Sequence, residues 1–255
     1  MWKALRVGVL LLVLGAVAVH AIRDHRVTAN WREPLWVGVL PVAGDDSPVT
    51  ASYIAGLGAA DFEPIARFMT REAQVHGGPA TPVHMVYYPG PFRALPERGD
   101  PEGAVANALW SLRLRWYAWR RMQEIDGALP RVRIFVIYHD PVRTVKVPHS
   151  VGLQKGLLGV VHAFASRDEH GGNGIVIAHE MLHTLGASDK YGADGLPSYP
   201  EGYADPHQQP RLPQRRAEIM AGRRAVTATH AEMPRGLDEV VIGPATAREI
   251  RWSSQ

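Results

Sequence analysis

The longest uninterrupted apolar run, Val7 to Val19, has Lys3 and Arg6 before it and Arg23, Asp24 and Arg26 after it. A basic segment followed by an apolar stretch of this length has the form of an export signal. Val19 and Ala21 suit cleavage after Ala21. Left uncleaved, the run from Val7 to Ile22 would act as a short signal anchor. Residues 1–22 are therefore expected to be a signal peptide or signal anchor, and 23–34 a polar linker ending at Pro34.

The remaining pattern alternates between strand-like runs and helical periodicity. "LWVGVLPV" (35–42) reads as a buried strand and "GDDSP" as a loop. Asp61 is placed to cap a helix over 62–77, with Pro64 in its first turn and Gly77 at its end. Residues 83–90 form a second strand. Residues 101–127 form a long amphipathic helix, in which Leu109, Leu112, Trp116 and Trp119 recur at helical spacing and are expected to face the core. "RVRIFVIYHD" (131–140) and "LLGVVHAFAS" (157–166) are further strands, and "DEHGGNG" leads into another helix. Strands alternating with helices imply an α/β sheet with helices packed on it. After Tyr191, Pro197, Pro200, Pro206, Pro210 and Pro213 fill an irregular stretch, and only "GPATAREIRW" reads as a helix again. The expected organisation is a single domain over 35–255, with an upper α/β part (35–186) and a smaller irregular lower part (187–255).

Composition changes this picture little. The chain has 28 Lys+Arg against 25 Asp+Glu, a net charge of +3 and a pI near 9.3. No basic block or aromatic-interleaved basic stripe accompanies the pI, so no nucleic-acid partner is expected. Arg113, Arg115, Arg120 and Arg121 read as the solvated face of their helix. There are no cysteines, which excludes disulfides, thiolate metal ligands, a cysteine nucleophile and a lipoprotein anchor.

The chemistry concentrates in "GIVIAHEMLHTLGASDKY" (174–191). His179 and His183, four apart, share one helix face and can grip a single ion; neutral imidazole suits zinc. Glu180 points beside that ion, where it can accept a proton from an attacking water and pass it to a leaving group. This is the H-E-x-x-H arrangement. Gly186 follows His183 by three residues, where a helix ends in a left-handed residue that glycine adopts without penalty. The chain can then turn back and bring Asp189 to the ion as a third ligand. Asking for that Gly and Asp as well lowers the chance of a random match to about one in ten thousand. Asn173 is expected to cap the helix, with Gly171, Gly172 and Gly174 shaping its entry and Ile175, Ile177, Met181, Leu182 and Leu185 supplying its apolar surface. Two histidines and a glutamate on such a helix would be costly to bury without a metal.

"HEMLHTLGASD" resembles the extended zinc motif of the metzincin clan of metallopeptidases, with Asp189 where most members have a third histidine, as in snapalysin-type enzymes. The resemblance spans residues 130–225. It implies a twisted mixed sheet with packed helices, an active-site helix, one catalytic Zn2+, and a lower subdomain with a methionine turn below the metal. "AEIMAGR" (217–223) supplies that methionine as Met220. It also implies a sheet-edge strand along the cleft that pairs with an extended peptide, for which 157–166 is the candidate. No tyrosine closely follows Met220, so the metal-bound tyrosine of some members is not carried over.

Three other residues have two readings each. His162 is a satisfied strand histidine or a group that steadies the transition state. Tyr191 packs, or hydrogen-bonds a ligand or substrate. Glu201, 18 residues after His183, is the third ligand of a rival scheme that normally places this Glu on a second helix, whereas here it sits among prolines. The expected function is zinc-dependent hydrolysis of peptides or proteins outside the cytoplasm. His179, His183 and Asp189 hold the metal, Glu180 serves as general base and then acid, and the N-terminal segment reaches the membrane if uncleaved. A zinc hydrolase of a non-peptide amide and a non-catalytic peptide binder are the alternatives; an intact Glu180 speaks against the second.

Overall fold

The computed structural model describes residues 31–92, 94–98, 103–125, 129–154 and 156–252. In chain order the first elements are β1 (Leu35–Ala43), α1 (Pro48–Ala55), α2 (Glu63–Val75), β2 (Val83–Tyr87), α3 (Ala104–Met122) and β3 (Val132–His139). They are followed by β4 (Val151–Leu153), β5 (Leu158–Phe164) and α4 (His170–Leu185). Five strands form one twisted mixed sheet in the order β2-β1-β3-β5-β4, parallel except for β4. The continuous apolar runs of β1, β3 and β5 follow from this topology, because central parallel strands are buried on both faces. On one face, Val37, Val39, Ile134, Val136 and Val161 pack against α1, α2 and α4. On the other, Leu40, Val42, Phe135, Leu158 and Val160 meet α3.

Four expectations are corrected. Helix α1 was not anticipated: "GDDSP" is a loop only as far as Ser47, whose hydroxyl accepts the Val49 amide at 3.2 Å and caps a helix with Pro48 in its first turn. Asp61 does not cap α2. It ends a 3-10 turn (Ala59–Asp61), accepts the Gly58 amide at 2.8 Å and pairs with Arg167. Helix α3 is shorter than expected and turns a different face inward: Trp110, Leu114, Ala118 and Met122 are buried, whereas Leu109, Leu112, Trp116 and Trp119 are 50–58% exposed. Both stripes have helical spacing; the buried one carries Ala118, which lets the helix axis approach the sheet. Finally, 157–166 contains an interior strand, β5, and the sheet edge is the three-residue β4, antiparallel to it.

The part of the chain from Ala217 onward carries short ladders, β6 (Ala217–Glu218) with β9 (Val240–Val241) and β7 (Arg224–Ala225) with β8 (Ala231–Glu232), followed by α5 (Pro244–Glu249). Ile219, Met220, Val240, Ile250 and Trp252 join the same apolar core as α4. Trp31 ties the linker's end to this part, donating its indole N–H to the Ile250 carbonyl at 2.7 Å. The expected signal segment, 1–22, lies outside the described residues. Among those described, no helix is long and apolar enough to cross a membrane.

Candidate metal centre and cleft

Helix α4 starts at His170, so Asn173 does not cap it. Asn173 lies buried within the first turns, and its amide both donates to the Phe164 carbonyl (2.8 Å) and accepts the Phe164 amide (3.1 Å). The helix is thereby pinned to the end of β5. It ends as expected, with Gly186 left-handed at φ 107°. A side chain at Gly186 would also meet the Gln154 amide at 2.8 Å.

This exit turn carries Asp189 back to the helix. Its Oδ1 lies 3.2 Å from Nε2 of His179 and 3.2 Å from Nε2 of His183, and the two Nε2 atoms are 3.0 Å apart. Both imidazoles are oriented from behind: Nδ1 of His179 donates to the Ile219 carbonyl at 2.9 Å, and Nδ1 of His183 to the Ala187 carbonyl at 2.8 Å. With each Nδ1 proton committed, both Nε2 lone pairs point inward at a carboxylate oxygen. Three acceptors this close need a cation among them. A proton on one imidazole would serve one edge well; a divalent metal would serve all three. The edges are close to the roughly 3.3 Å separation of ligands around tetrahedral zinc with bonds of about 2.0–2.1 Å.

The electrostatics agree. Burial alone would raise the Asp189 carboxyl, but the two histidines hold it well below the usual carboxylate range. Burial alone would lower His183, and the Asp189 carboxylate raises it instead. Glu180 is 6% exposed, and burial pushes its carboxyl up against the opposing pull of His179 and His183. Its Oε2 is buried without a hydrogen-bond partner among the described residues. A carboxylate oxygen in that position calls for a donor from the cleft. His179, Glu180 and His183 present ligand atoms within 4.8 Å of one another, a group that could hold a metal ion.

Two further devices hold the cluster and were missed from the sequence. Ser188 and Lys190, flanking Asp189, are both clamped to Glu249 at the end of α5: the Lys190 ammonium donates at 2.7 and 2.8 Å and the Ser188 hydroxyl at 2.6 Å. The Lys190 amide also donates to the Met220 carbonyl at 2.9 Å. Met220 is fully buried in a 3-10 turn (Ile219–Ala221) whose first carbonyl receives His179. Glu218, fully buried, shapes this turn; its two oxygens accept the Met220, Ala221 and Gly243 amides and the Thr246 hydroxyl. The sequence signal for these roles was faint, since Glu249 acts wholly, and Glu218 in half of its bonds, on residues distant in the chain.

Met220 therefore supports the site through packing and its backbone. Met220→Leu roughly conserves volume and should cost less than about 1.5 kcal/mol in thermal or denaturant unfolding, with metal content retained. Loss of all bound metal from a folded variant would contradict this placement.

The cluster opens on a cleft of about 360 Å³ lined by Ile175, Val176, Tyr191, Gly222, Arg223, Met233 and His149. Tyr191 is half-exposed there; burial, and next the Asp189 carboxylate beside it, push its phenol up. β4 lies against α4 so closely that a side chain at Gly152 would fall 2.4 Å from the Glu180 carbonyl and 2.5 Å from the His183 Cβ. His162 is not brought to the cluster. It lines a separate cavity of about 270 Å³ on the α3 side, 2.9 Å from His139, and burial, with His139 next, pushes it down to about 4. Glu201 is exposed and within ion-pair distance of neither imidazole.

No known protein family matches the sequence, and no curated protein does either. Among solved structures, wild-type OgpA from Akkermansia muciniphila is similar over 86% of this chain and 59% of its own, at 15% identity and a TM-score of 0.35. Catalytically inactive OgpA in complex with an O-glycopeptide substrate, glycodrosocin, is similar over the same shares at 14% identity and a TM-score of 0.36. The chain thus spans about three fifths of the length of those proteins. A likeness this distant lends no weight to a function, and what the chain can do is read from its own atoms.

Proposed function

We propose that the chain is a zinc-dependent metallopeptidase of the metzincin kind, in the variant with aspartate as third ligand. One observation carries the reading: two imidazole nitrogens and a carboxylate oxygen converge within 3.2 Å beside a buried glutamate oxygen that has no hydrogen-bond partner among the described residues. His179, His183 and Asp189 would hold the ion. Bound zinc would supply Lewis-acid polarisation of the scissile carbonyl and a more acidic water. Glu180 accepts the proton of the attacking water and returns it to the departing amine nitrogen. Tyr191, at the cleft wall, can donate its phenol to the carbonyl oxygen as charge develops there. β4, the last strand of the sheet beside α4, offers an edge to which an extended peptide can add.

A digest of a broad peptide library, with products mapped by mass spectrometry, tests this reading. Cleavage at backbone amides supports it. Hydrolysis confined to non-peptide amides favours the alternative hydrolase, and capture without cleavage favours a binding protein. The site of action is proposed to lie outside the cytoplasm, on the strength of the apolar run at residues 7–19. A C-terminal topology reporter should read periplasmic or extracellular; a cytoplasmic signal would refute export.

A further inference from the structure

Helix α3 carries a second apolar stripe on the side turned away from the sheet. Leu109, Leu112, Trp116 and Trp119, at i, i+3, i+7 and i+10, are each half exposed or more. Single exposed apolar side chains are ordinary, but four in a row, two of them indoles, mark a contact surface. The charges that α3 itself sets beside them have one sign. Arg113 and Arg120 are exposed on the same side, and the Arg120 guanidinium sits 5.5 Å over the Trp116 ring. Within Ala104–Met122 there are four arginines and no Asp or Glu. Glu124, past the helix end, is paired with Arg121 at 2.7 Å. Helix α2 shows how this protein dresses a helix for water, with Glu63 and Arg67 paired across one turn at 3.1 Å.

We propose that this face of α3 docks on an anionic lipid surface. The indoles would sit at headgroup level, Leu109 and Leu112 would enter the upper acyl region, and Arg113 and Arg120 would meet lipid phosphates. A second copy fits poorly, because in a two-fold pairing of this face neither α3 offers an Asp or Glu to meet the arginines of the other. Docking through α3 leaves the cleft free, since α3 and α4 lie on opposite faces of the sheet. The inference does not depend on the peptidase reading.

The absence of cysteine allows the full chain to be labelled at one position. An environment-sensitive fluorophore on Leu112→Cys should shift to the blue on mixed phosphatidylcholine–phosphatidylglycerol vesicles and be quenched by nitroxide-labelled lipid. It should respond far less on phosphatidylcholine alone. The same label on Val142→Cys, an exposed loop position, should stay aqueous throughout. Arg113→Glu with Arg120→Glu should abolish the Leu112 response; Arg113→Gln with Arg120→Gln should raise the anionic-lipid concentration needed for half of it about 25-fold, at about fivefold per basic residue. Both positions are exposed, and helical circular dichroism checks that the fold is kept. A label that stays aqueous on anionic vesicles carrying the bound chain would overturn the proposal. So would a label already in an apolar setting without lipid, which would mean that a second copy or the N-terminal segment covers the stripe. An equal response on neutral vesicles that ignores both arginine variants would overturn the anionic assignment.

Discussion

Glu180→Gln is expected to keep its metal and lose hydrolysis by at least about 10²–10⁴-fold, the range over which a positioned general base acts. The amide has nearly the same shape, so the packing around α4 need not change. What changes is the buried Oε2 position, which in the ionised wild-type side chain accepts a proton or a hydrogen bond. The substituted side chain would present either a weak acceptor or an N–H₂ group where an acceptor is needed. His179, His183 and Asp189 are oriented by the Ile219 and Ala187 carbonyls and by the Glu249 clamp, none of which involves Glu180. Metal analysis alongside steady-state kinetics separates the two effects. Full metal content with activity within a few-fold of wild type would remove Glu180 from its role.

The second large effect is expected at Asp189. Asp189→Ala leaves two imidazole Nε2 atoms 3.0 Å apart with no carboxylate to complete the set. Zinc affinity should fall by well over the roughly 10–100-fold typical of losing an outer-shell partner. Glu201→Ala should leave stoichiometry near one, because Glu201 stands in solvent away from both imidazoles. Asp189→His is expected to restore binding, as imidazole fills this position in the commoner form of the motif. Glu218 is no neutral control. Removing its carboxylate strands four buried donors, at about 1–3 kcal/mol for each left unsatisfied, and destabilises the turn beneath His179. Full zinc retention by Asp189→Ala, together with its loss in Glu201→Ala, would replace this ligand scheme with the rival one.

The parts legible in the sequence are those whose causes are local. The apolar runs of β1, β3 and β5 and the spacing of His179, His183 and Gly186 are set within a few residues of each position. The expected return of Asp189 toward the histidines followed from one glycine. What the sequence hid depends on partners distant along the chain. β4 has three residues and no periodicity; it is a strand because β5 offers it an edge and Gly152 lets it press against α4. Asn173 looked like a cap, but its amide serves Phe164 instead. His162 sits on a strand whose alternation is clear, yet which face meets which cavity depends on the sheet order, and the order put it on the α3 side. Helix α3 carries two apolar stripes of the same period, and only packing decides which one is buried. Glu218 caps its own turn locally but also reaches Gly243 and Thr246, 25 and 28 residues on, and Glu249 acts across 59 to 61 residues; nothing local announces those long-range partners.

Whether this cluster holds a catalytic zinc is decided by measuring metal content and peptide hydrolysis together on the full chain. The samples are the protein as purified, after chelation, and after return of zinc. About one zinc per chain is expected, with hydrolysis lost on chelation and restored by the metal. A chain that binds no zinc at neutral pH, or hydrolysis that persists undiminished after the metal is stripped, would contradict the zinc assignment.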